Sequence, residues 1–350
     1  MRKFDFDTWD KFQKESVGKK LVLFGAASGC RHFFEKKGSE FKISYIVDND
    51  SMKWGKRNQE IDVRDPKVLK EENQEDIIVL IVSVHIVEIV EQLESLGVTN
   101  YYSWRFLNTN IKKEDTERYL KEFQMVESLL ADEESKKVYK SVIEKRSLGI
   151  KDYRDIFSGH HYFPKGIIKR EEEEIFVDCG AFDGDSIIKF KEWVHNNYKK
   201  IYAFEPTKET YQKLSNNFKD DDKINCMQAG VWEKETTLMF SENDEVAGAN
   251  KISESGGTEI HCISLDDILG SEKVTFIKMD VEGAEQEAIL GAQTIIKENK
   301  PKLAISIYHS LEDLWKVPLL IQELVPEYQL YIRHHDILTW ETVVYAVYEK

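Results

Sequence analysis

The sequence predicts an α/β protein made of two successive parallel-sheet domains, the second ending in an antiparallel hairpin. Three observations carry that reading. Short apolar runs alternate with segments of helical period twice along the chain; between residues 106 and 150 only helical spacing remains; and the last two apolar runs lie too close together for a crossover. Length agrees, because 350 residues exceed what one hydrophobic core usually serves.

The first domain is expected over residues 1–105. LVLFGAASG (21–29) reads as a strand and glycine turn, the segment to Lys37 as a helix, FKISYIVDND (41–50) as a second strand ending in acid, and IIVLIVSV (77–84) as a third. A helix through Leu96 and a strand from Val98 to Tyr102 complete it. Residues 106–150 read as a helical connector, with Leu120, Phe123, Val126, Leu130, Val138, Val142 and Ile143 spaced among charged residues. The second domain is expected over 151–350. It has strands at 175–179, 201–205, 224–228, 274–280 and 302–308, helices between most of them, and a hairpin of YQLYIRH (328–334) with TVVYAVY (342–348). Seven strands with an antiparallel member at the edge are not the usual arrangement of a nicotinamide-binding Rossmann domain.

Composition narrows the partners. Hydrophobic residues make up 41% of the chain, enough for a core in each half, and the formal net charge of −15 would repel nucleic acid and anionic membrane surfaces. Cys30, Cys179, Cys226 and Cys262 are widely spaced, with no C-x-x-C pair, so neither a zinc site nor a disulfide framework is suggested. MRKFDFDTWDKF lacks the apolar core of a signal peptide, and the run at 77–87 is too short to cross a bilayer. A cytoplasmic protein with a small-molecule partner is expected, with no nucleic acid, no membrane span and self-association left open.

The chemistry concentrates at the predicted strand ends. In EIFVDCGAFDGDSIIKF (174–190) a strand turns tightly into a helix, which leaves helix-start N–H groups facing a crevice, and Gly180 and Gly184 carry no side chain to block a ligand. An ordinary strand-to-helix turn favours the same residues. The spacing Asp178, Gly180, Gly184 departs from the Gly-x-Gly-x-x-Gly of a dinucleotide site. Glu205 ends the second strand, where a carboxylate can accept from both hydroxyls of a ribose; a solvated strand-end acid is the competing reading. In FIKMDVEGAEQEAILGA, Asp280 ends the fourth strand beside the first, while Glu282 and Glu285 begin a helix, a place that suits acids for structural reasons alone. His309 ends the fifth strand and the hairpin carries His334-His335-Asp336. Imidazole suits general-base work or metal ligation near neutral pH.

With these motifs in order, residues 160–348 resemble the FkbM family of S-adenosyl-L-methionine-dependent methyltransferases. FVDCGAFDGDS resembles the family's first cofactor motif, AFEPT its ribose-binding motif and IKMDVEGAEQEAILGA its hallmark, while IYHSLEDLWKVPLLIQEL, YIRHH and TVVYAV resemble one branch of it. Common members carry Asn-Ile-Gly where Phe182-Asp183-Gly184 stand here. The resemblance implies a class I methyltransferase fold and O-methylation of sugar or polyketide hydroxyls, here a sugar hydroxyl of a surface glycan or its precursor. It implies S-adenosyl-L-methionine held by Asp178, Gly180, Ala181, Phe182, Asp183, Gly184, Glu205, Pro206 and Asp280. His309, with Asp280 or Glu282 nearby, is then the base candidate and His334 the second; alternatively Asp280, His309 and His334 hold a divalent cation, Mg²⁺ or Mn²⁺.

The first domain is similar to the Rossmann-like domain found ahead of many bacterial saccharide-modifying enzymes, by FGAASG, VDND and KWGK. Its turn, Gly25 to Cys30, departs from the dinucleotide fingerprint at the second and third glycine positions, and Asp48 stands where a ribose-binding acid would. Docking or assembly is the expected role. Two other classes stay open: an NAD-dependent nucleotide-sugar oxidoreductase or epimerase using this domain, and a non-catalytic glycan-associated binding protein, against which Asp178, Gly180, Gly184 and Glu205 all being present argues.

Overall fold

The computed structural model describes residues 9–83, 85–104, 118–148, 152–241, 251–252 and 258–349. The chain divides into two compact units, one formed chiefly by residues before 114 and the other chiefly by 114–144 and those from 153 onward.

In the first unit, β1 (Lys20–Phe24), β2 (Ile43–Val47), β3 (Arg57–Asn58), β4 (Ile61–Arg64), β5 (Ile77–Ile81) and β6 (Tyr101–Ser103) form one sheet in the order β3-β4-β2-β1-β5-β6. All neighbours are parallel except β3 and β4. Every residue of β5 is buried, which is why that stretch reads as an unbroken apolar run. The short β3–β4 hairpin was not visible in the sequence. It turns through Gln59 and Glu60, both at positive φ, and too few residues pair to set up an alternation. Phe12, Phe33, Tyr102 and Trp104 fill the core under the sheet.

The second unit has β7 (Ile175–Cys179), β8 (Lys200–Phe204), β9 (Ile224–Met227), β10 (Gly230–Val231), β11 (Thr236–Ser241), β12 (Lys251–Ile252), β13 (Thr258–Ile263), β14 (Phe276–Met279), β15 (Lys302–Ser306), β16 (Gln329–His334) and β17 (Thr342–Val347). Its main sheet runs β16-β17-β15-β14-β7-β8-β9. The five strands from β9 to β15 are parallel and β17 is antiparallel to both β15 and β16; the hairpin forms as its spacing required, but because β17 inserts between β15 and β16 the antiparallel member lies one place in from the edge and not at it. A second sheet, β10-β13-β11-β12, lies in sequence between β9 and β14. Its strands pair across a long intervening segment, so neither turn residues nor local period announces them.

The helices Leu120–Leu129 and Glu133–Leu148 occupy the predicted connector, yet they do not stand apart. Phe123, Val126, Leu130, Val138, Tyr139 and Val142 belong to the same core as Leu314, Val317, Leu330 and Ile332. The Tyr139 hydroxyl donates to the Leu314 carbonyl at 2.9 Å, Ala131 N–H donates to the Leu330 carbonyl at 2.8 Å, and Arg333 grips Asp132 with both terminal nitrogens at 2.7 and 3.3 Å. β16 is the sheet's edge, and this segment covers it.

Sequence order reverses at β7: β8 follows it on one side and β14 lies on the other. Ligands of open α/β sheets bind in the crevice that such a reversal opens at the carboxyl strand ends. Asp178, Glu205, Asp280 and His309 all lie at or just past those ends, on β7, β8, β14 and β15. The four cysteines are free, and among the described residues no helix is long and apolar enough to cross a membrane.

Candidate active site

The turn after β7 is shaped by its own neighbours. Gly180 has φ +80°, and a Cβ there would sit 1.9 Å from the Asp280 carbonyl oxygen; Gly184 has φ +96°, and a Cβ there would sit 2.1 Å from the Phe218 ring. Backbone direction and protein packing therefore require both glycines, as an ordinary strand-to-helix turn would, whatever clearance they also give a ligand. The N–H groups of Gly180 and Ala181 donate to the Phe204 carbonyl and that of Gly184 to the Ala181 carbonyl, so these three point inward. Ala181 is buried, Asp183 is part-buried with its carbonyl taken by Asn217, and Phe182 presents an exposed ring.

Asp178 is a correction. Its side chain is fully buried: one oxygen lies 3.0 Å from the Lys278 ammonium and the other accepts from the Ser186 hydroxyl. Lys278, 3% exposed, also donates to the Gly180 carbonyl at 2.7 Å. Burial alone would lower the Lys278 pKa; Asp178 and Asp280 overcome it and hold the amine protonated well above its ordinary range. Asp178 thus fixes the glycine turn from below through Lys278 and does not face a cofactor.

Glu205 does face the crevice. It accepts from Thr207 N–H with one oxygen (2.9 Å) and from Phe182 N–H with the other (3.2 Å), tying the turn after β7 to the start of the next helix, with Pro206 part-exposed between. Burial raises its pKa, and the Thr207 N–H, the Thr207 hydroxyl, the Phe182 N–H and the Lys278 charge partly offset the rise. With these three donors in place, a carboxylate of about four acceptor sites keeps room for one further hydrogen bond.

Beside it lies a second cluster. Asp280 accepts from the Tyr162 hydroxyl at 3.0 Å and from the Tyr308 hydroxyl at 3.1 Å. The His309 ring sits among three carboxylates, with Nε2 3.4 Å from Asp280 and 3.3 Å from Glu282, and Nδ1 3.1 Å from Glu285. Glu285 is buried and also accepts from Val281 N–H, closing the turn that carries Glu282 at φ +57°. Burial would depress the His309 pKa, but Glu285, Glu282 and Asp280 drive it well above the usual value. Asp280 is in turn held below the usual carboxylate range, where His309, Lys278 and the Tyr162 hydroxyl outweigh its burial.

The three carboxylates thus favour the protonated ring, which argues against His309 as the proton acceptor. Asp280, Glu285 and His309 can bring one ligand atom each within 4.8 Å of one another, a spacing that suits a divalent ion. A protonated imidazole already supplies positive charge at that point, so an ion would have to displace its proton. His334 is the second correction. It is fully buried, with Nδ1 2.8 Å from the Thr342 hydroxyl, Nε2 2.7 Å from the Leu338 carbonyl, and Tyr153 tilted against its ring at 4.7 Å. Both nitrogens being engaged, it neither ligates nor accepts a proton.

Against this geometry stand the comparisons. Residues 178–340 match the methyltransferase FkbM domain. The crystal structure of the methyltransferase FkbM from Methylobacillus flagellatus KT superposes with a TM-score of 0.68 at 22% identity, covering 97% of this chain and 94% of that one, so the fold is shared over nearly the whole length. An rRNA methylase from Streptococcus thermophilus matches at 19% identity over 51% of this chain and 89% of its own, TM-score 0.34. Aeropyrum pernix fibrillarin in complex with natively bound S-adenosyl-L-methionine matches at 14% identity over 52% and 71%, TM-score 0.33. No curated protein matches the chain.

In the second unit the structure adds residues that motif reading passed over: Lys278, Ser186, Tyr162, Tyr308, His161 and Glu341. Lys278 had a visible signal, a cation inside the apolar strand FIKM. Tyr162 lies in HHYFPKG, which reads from sequence only as a boundary.

Proposed function

We propose that the chain is an S-adenosyl-L-methionine-dependent O-methyltransferase acting on a sugar hydroxyl of a surface glycan or its precursor. The observation that carries this reading is Glu205. It is a carboxylate 7% exposed, anchored by the Phe182 and Thr207 N–H groups and the Thr207 hydroxyl, with acceptor capacity left for a ribose hydroxyl beside the turn that follows β7. The bound cofactor would supply a methyl group already made electrophilic by its sulfonium. The protein then has to hold the nucleoside, align the acceptor oxygen and accept its proton.

Glu205 takes the ribose. Asp280, kept ionised, offers negative charge toward the cation while the Tyr162 and Tyr308 hydroxyls fix its orientation. Trp340, packed edge-on against Tyr308 at 5.9 Å, helps keep that edge apolar. Aromatic faces beside carboxylates suit a sugar, which stacks its C–H faces on rings and donates its hydroxyls to acids.

For the first unit we favour docking or assembly. The carboxylate of Asp48 is already engaged by Ala26 N–H at 2.6 Å, Asp50 N–H at 2.8 Å and the Lys53 ammonium at 3.1 Å, which leaves it ill-suited to a nicotinamide dinucleotide ribose. Label transfer tests the activity. Incubating the full chain with methyl-labelled S-adenosyl-L-methionine and a panel of methyl hexopyranosides should yield labelled methyl ethers; label appearing only on amines or carboxylates of added control acceptors would refute a hydroxyl acceptor.

A further inference from the structure

The link between β16 and β17 ends at Glu341, and the loop ahead of β7 carries His160, His161 and Tyr162. These two segments meet. His161 Nε2 lies 3.2 Å from Glu341 Oε2, yet both atoms are shielded from solvent and neither forms an aligned hydrogen bond. The imidazole is stacked between Tyr162 at 3.7 Å and His335 at 4.9 Å, and His335 is fixed at both nitrogens by the Ser158 carbonyl and the Tyr345 hydroxyl. Tyr162 continues the chain of contacts to Asp280.

The backbone here is held where non-glycine residues seldom go. Glu341 has φ +60°, His160 +59°, Tyr162 +65°, Phe182 +49° and Glu282 +57°, and the first is pinned by His335 N–H donating to its carbonyl at 2.9 Å. Non-glycine residues rarely hold such φ values, and those that do concentrate at functional sites. Glu341 nonetheless keeps 31% of its side chain exposed, so it can meet a ligand.

Resting on the cofactor reading above, we propose that Glu341 is the group that takes the acceptor's proton, and that it stands protonated in the free protein until the cofactor's positive charge ionises it. A buried carboxyl oxygen with no hydrogen bond favours the neutral acid. Burial pushes His161 down to about 3, so it brings no charge to counter this. Burial and the negative charge of Asp280 push Glu341 up to about 8, against the weaker opposing pull of His309, Lys278 and Lys189. The remaining groups that face the pair are Asp185, paired with Lys189 on the helix Asp185–Trp193, Glu282, paired with His309, and the phenols of Tyr162 and Tyr308, both neutral.

A sulfonium near Asp280 offsets the charge that keeps Glu341 protonated, and the carboxyl releases its proton to solvent. In the transfer, the acceptor oxygen bonds the methyl carbon, the sulfur–carbon pair returns to sulfur, and Glu341 takes the hydroxyl proton. The products are a neutral ether, a neutral thioether and Glu341 restored to its acid form.

Calorimetry on the full chain tests this without an acceptor. Titrating S-adenosyl-L-methionine and S-adenosylhomocysteine at pH 7 in buffers of different ionisation enthalpy gives the protons released by each. The charged ligand should release more, by up to about one proton per chain. Glu341→Gln should abolish the difference while binding of S-adenosylhomocysteine persists, and Glu341→Asp should retain it, guarding against a folding defect in the first variant. Equal release by both ligands, or an excess that survives Glu341→Gln, overturns the inference while leaving the cofactor reading intact. Failure of both ligands to bind overturns the cofactor reading itself.

Discussion

Replacing Lys278 with methionine removes the cation that joins β7, the glycine turn and β14. The ammonium lies 3.0 Å from Asp178, a separation worth about 5.5 kcal/mol of attraction at an effective dielectric constant of about 20. Desolvating both charges offsets much of that, so the intact pair adds little over an apolar one. Removing one partner is different. Asp178 would remain fully buried with its charge uncompensated, and the Gly180 carbonyl would lose its 2.7 Å donor, so Lys278→Met should destabilise the second unit by about 3 to 5 kcal/mol. Urea unfolding followed by tryptophan fluorescence should show the corresponding transition moving down by about 1 to 2 M. The double variant Asp178→Leu, Lys278→Met should recover most of the loss, because no buried charge is left alone. A loss below about 1 kcal/mol in the single variant, or a double variant no better than the single, would refute the role given to this pair.

Three further outcomes are expected. Glu205→Ala should weaken binding of S-adenosylhomocysteine about tenfold to a hundredfold, or about 1.5 to 3 kcal/mol, by calorimetry; unchanged affinity would remove Glu205 from the ribose site. His309 has its folded pKa raised above an unfolded value near 6.5, so its stabilisation is complete below about pH 6.5 and is lost as pH rises through the folded pKa. Urea midpoints of the native chain should therefore fall as pH is raised from 6.5, and His309→Gln should flatten that slope; parallel profiles would contradict the imidazolium. A chain starting at residue 151 would strip Phe123, Val126, Leu130, Val138, Tyr139 and Val142 from the core and should fail to give a cooperative melt by circular dichroism, whereas one starting at 114 should retain it.

What could be read from the sequence follows from what local pattern can encode. The order of the parallel strands and the closing hairpin were legible because apolar runs and their spacing encode strands and connections directly, and Glu205, Asp280 and His309 were legible because each interrupts an apolar run at its carboxyl end. Direction at those ends was not. β7 and β14 are buried on both faces, so no two-residue alternation shows that Asp178 and Lys278 turn toward each other beneath the turn. His334 was misread for a similar reason: its partners Thr342 and Leu338 lie in and just before the next strand, and only the folded hairpin reveals that both nitrogens are taken. The helices of 120–148 look like a connector because their apolar stripe does not say which surface it covers, and that surface is the edge strand β16. Glu341 had no local signal at all, since its partner His161 is 180 residues away.

The central claim is that the turn after β7 and Glu205 hold a nucleoside with a charged sulfonium, and calorimetric titration of the intact chain addresses it most directly. S-adenosylhomocysteine should bind with a dissociation constant in the low-micromolar range or tighter, about −8 kcal/mol, at one site per chain and in competition with S-adenosyl-L-methionine. Heats no larger than dilution for both ligands, with NAD⁺ or NADH binding in their place, would contradict the account.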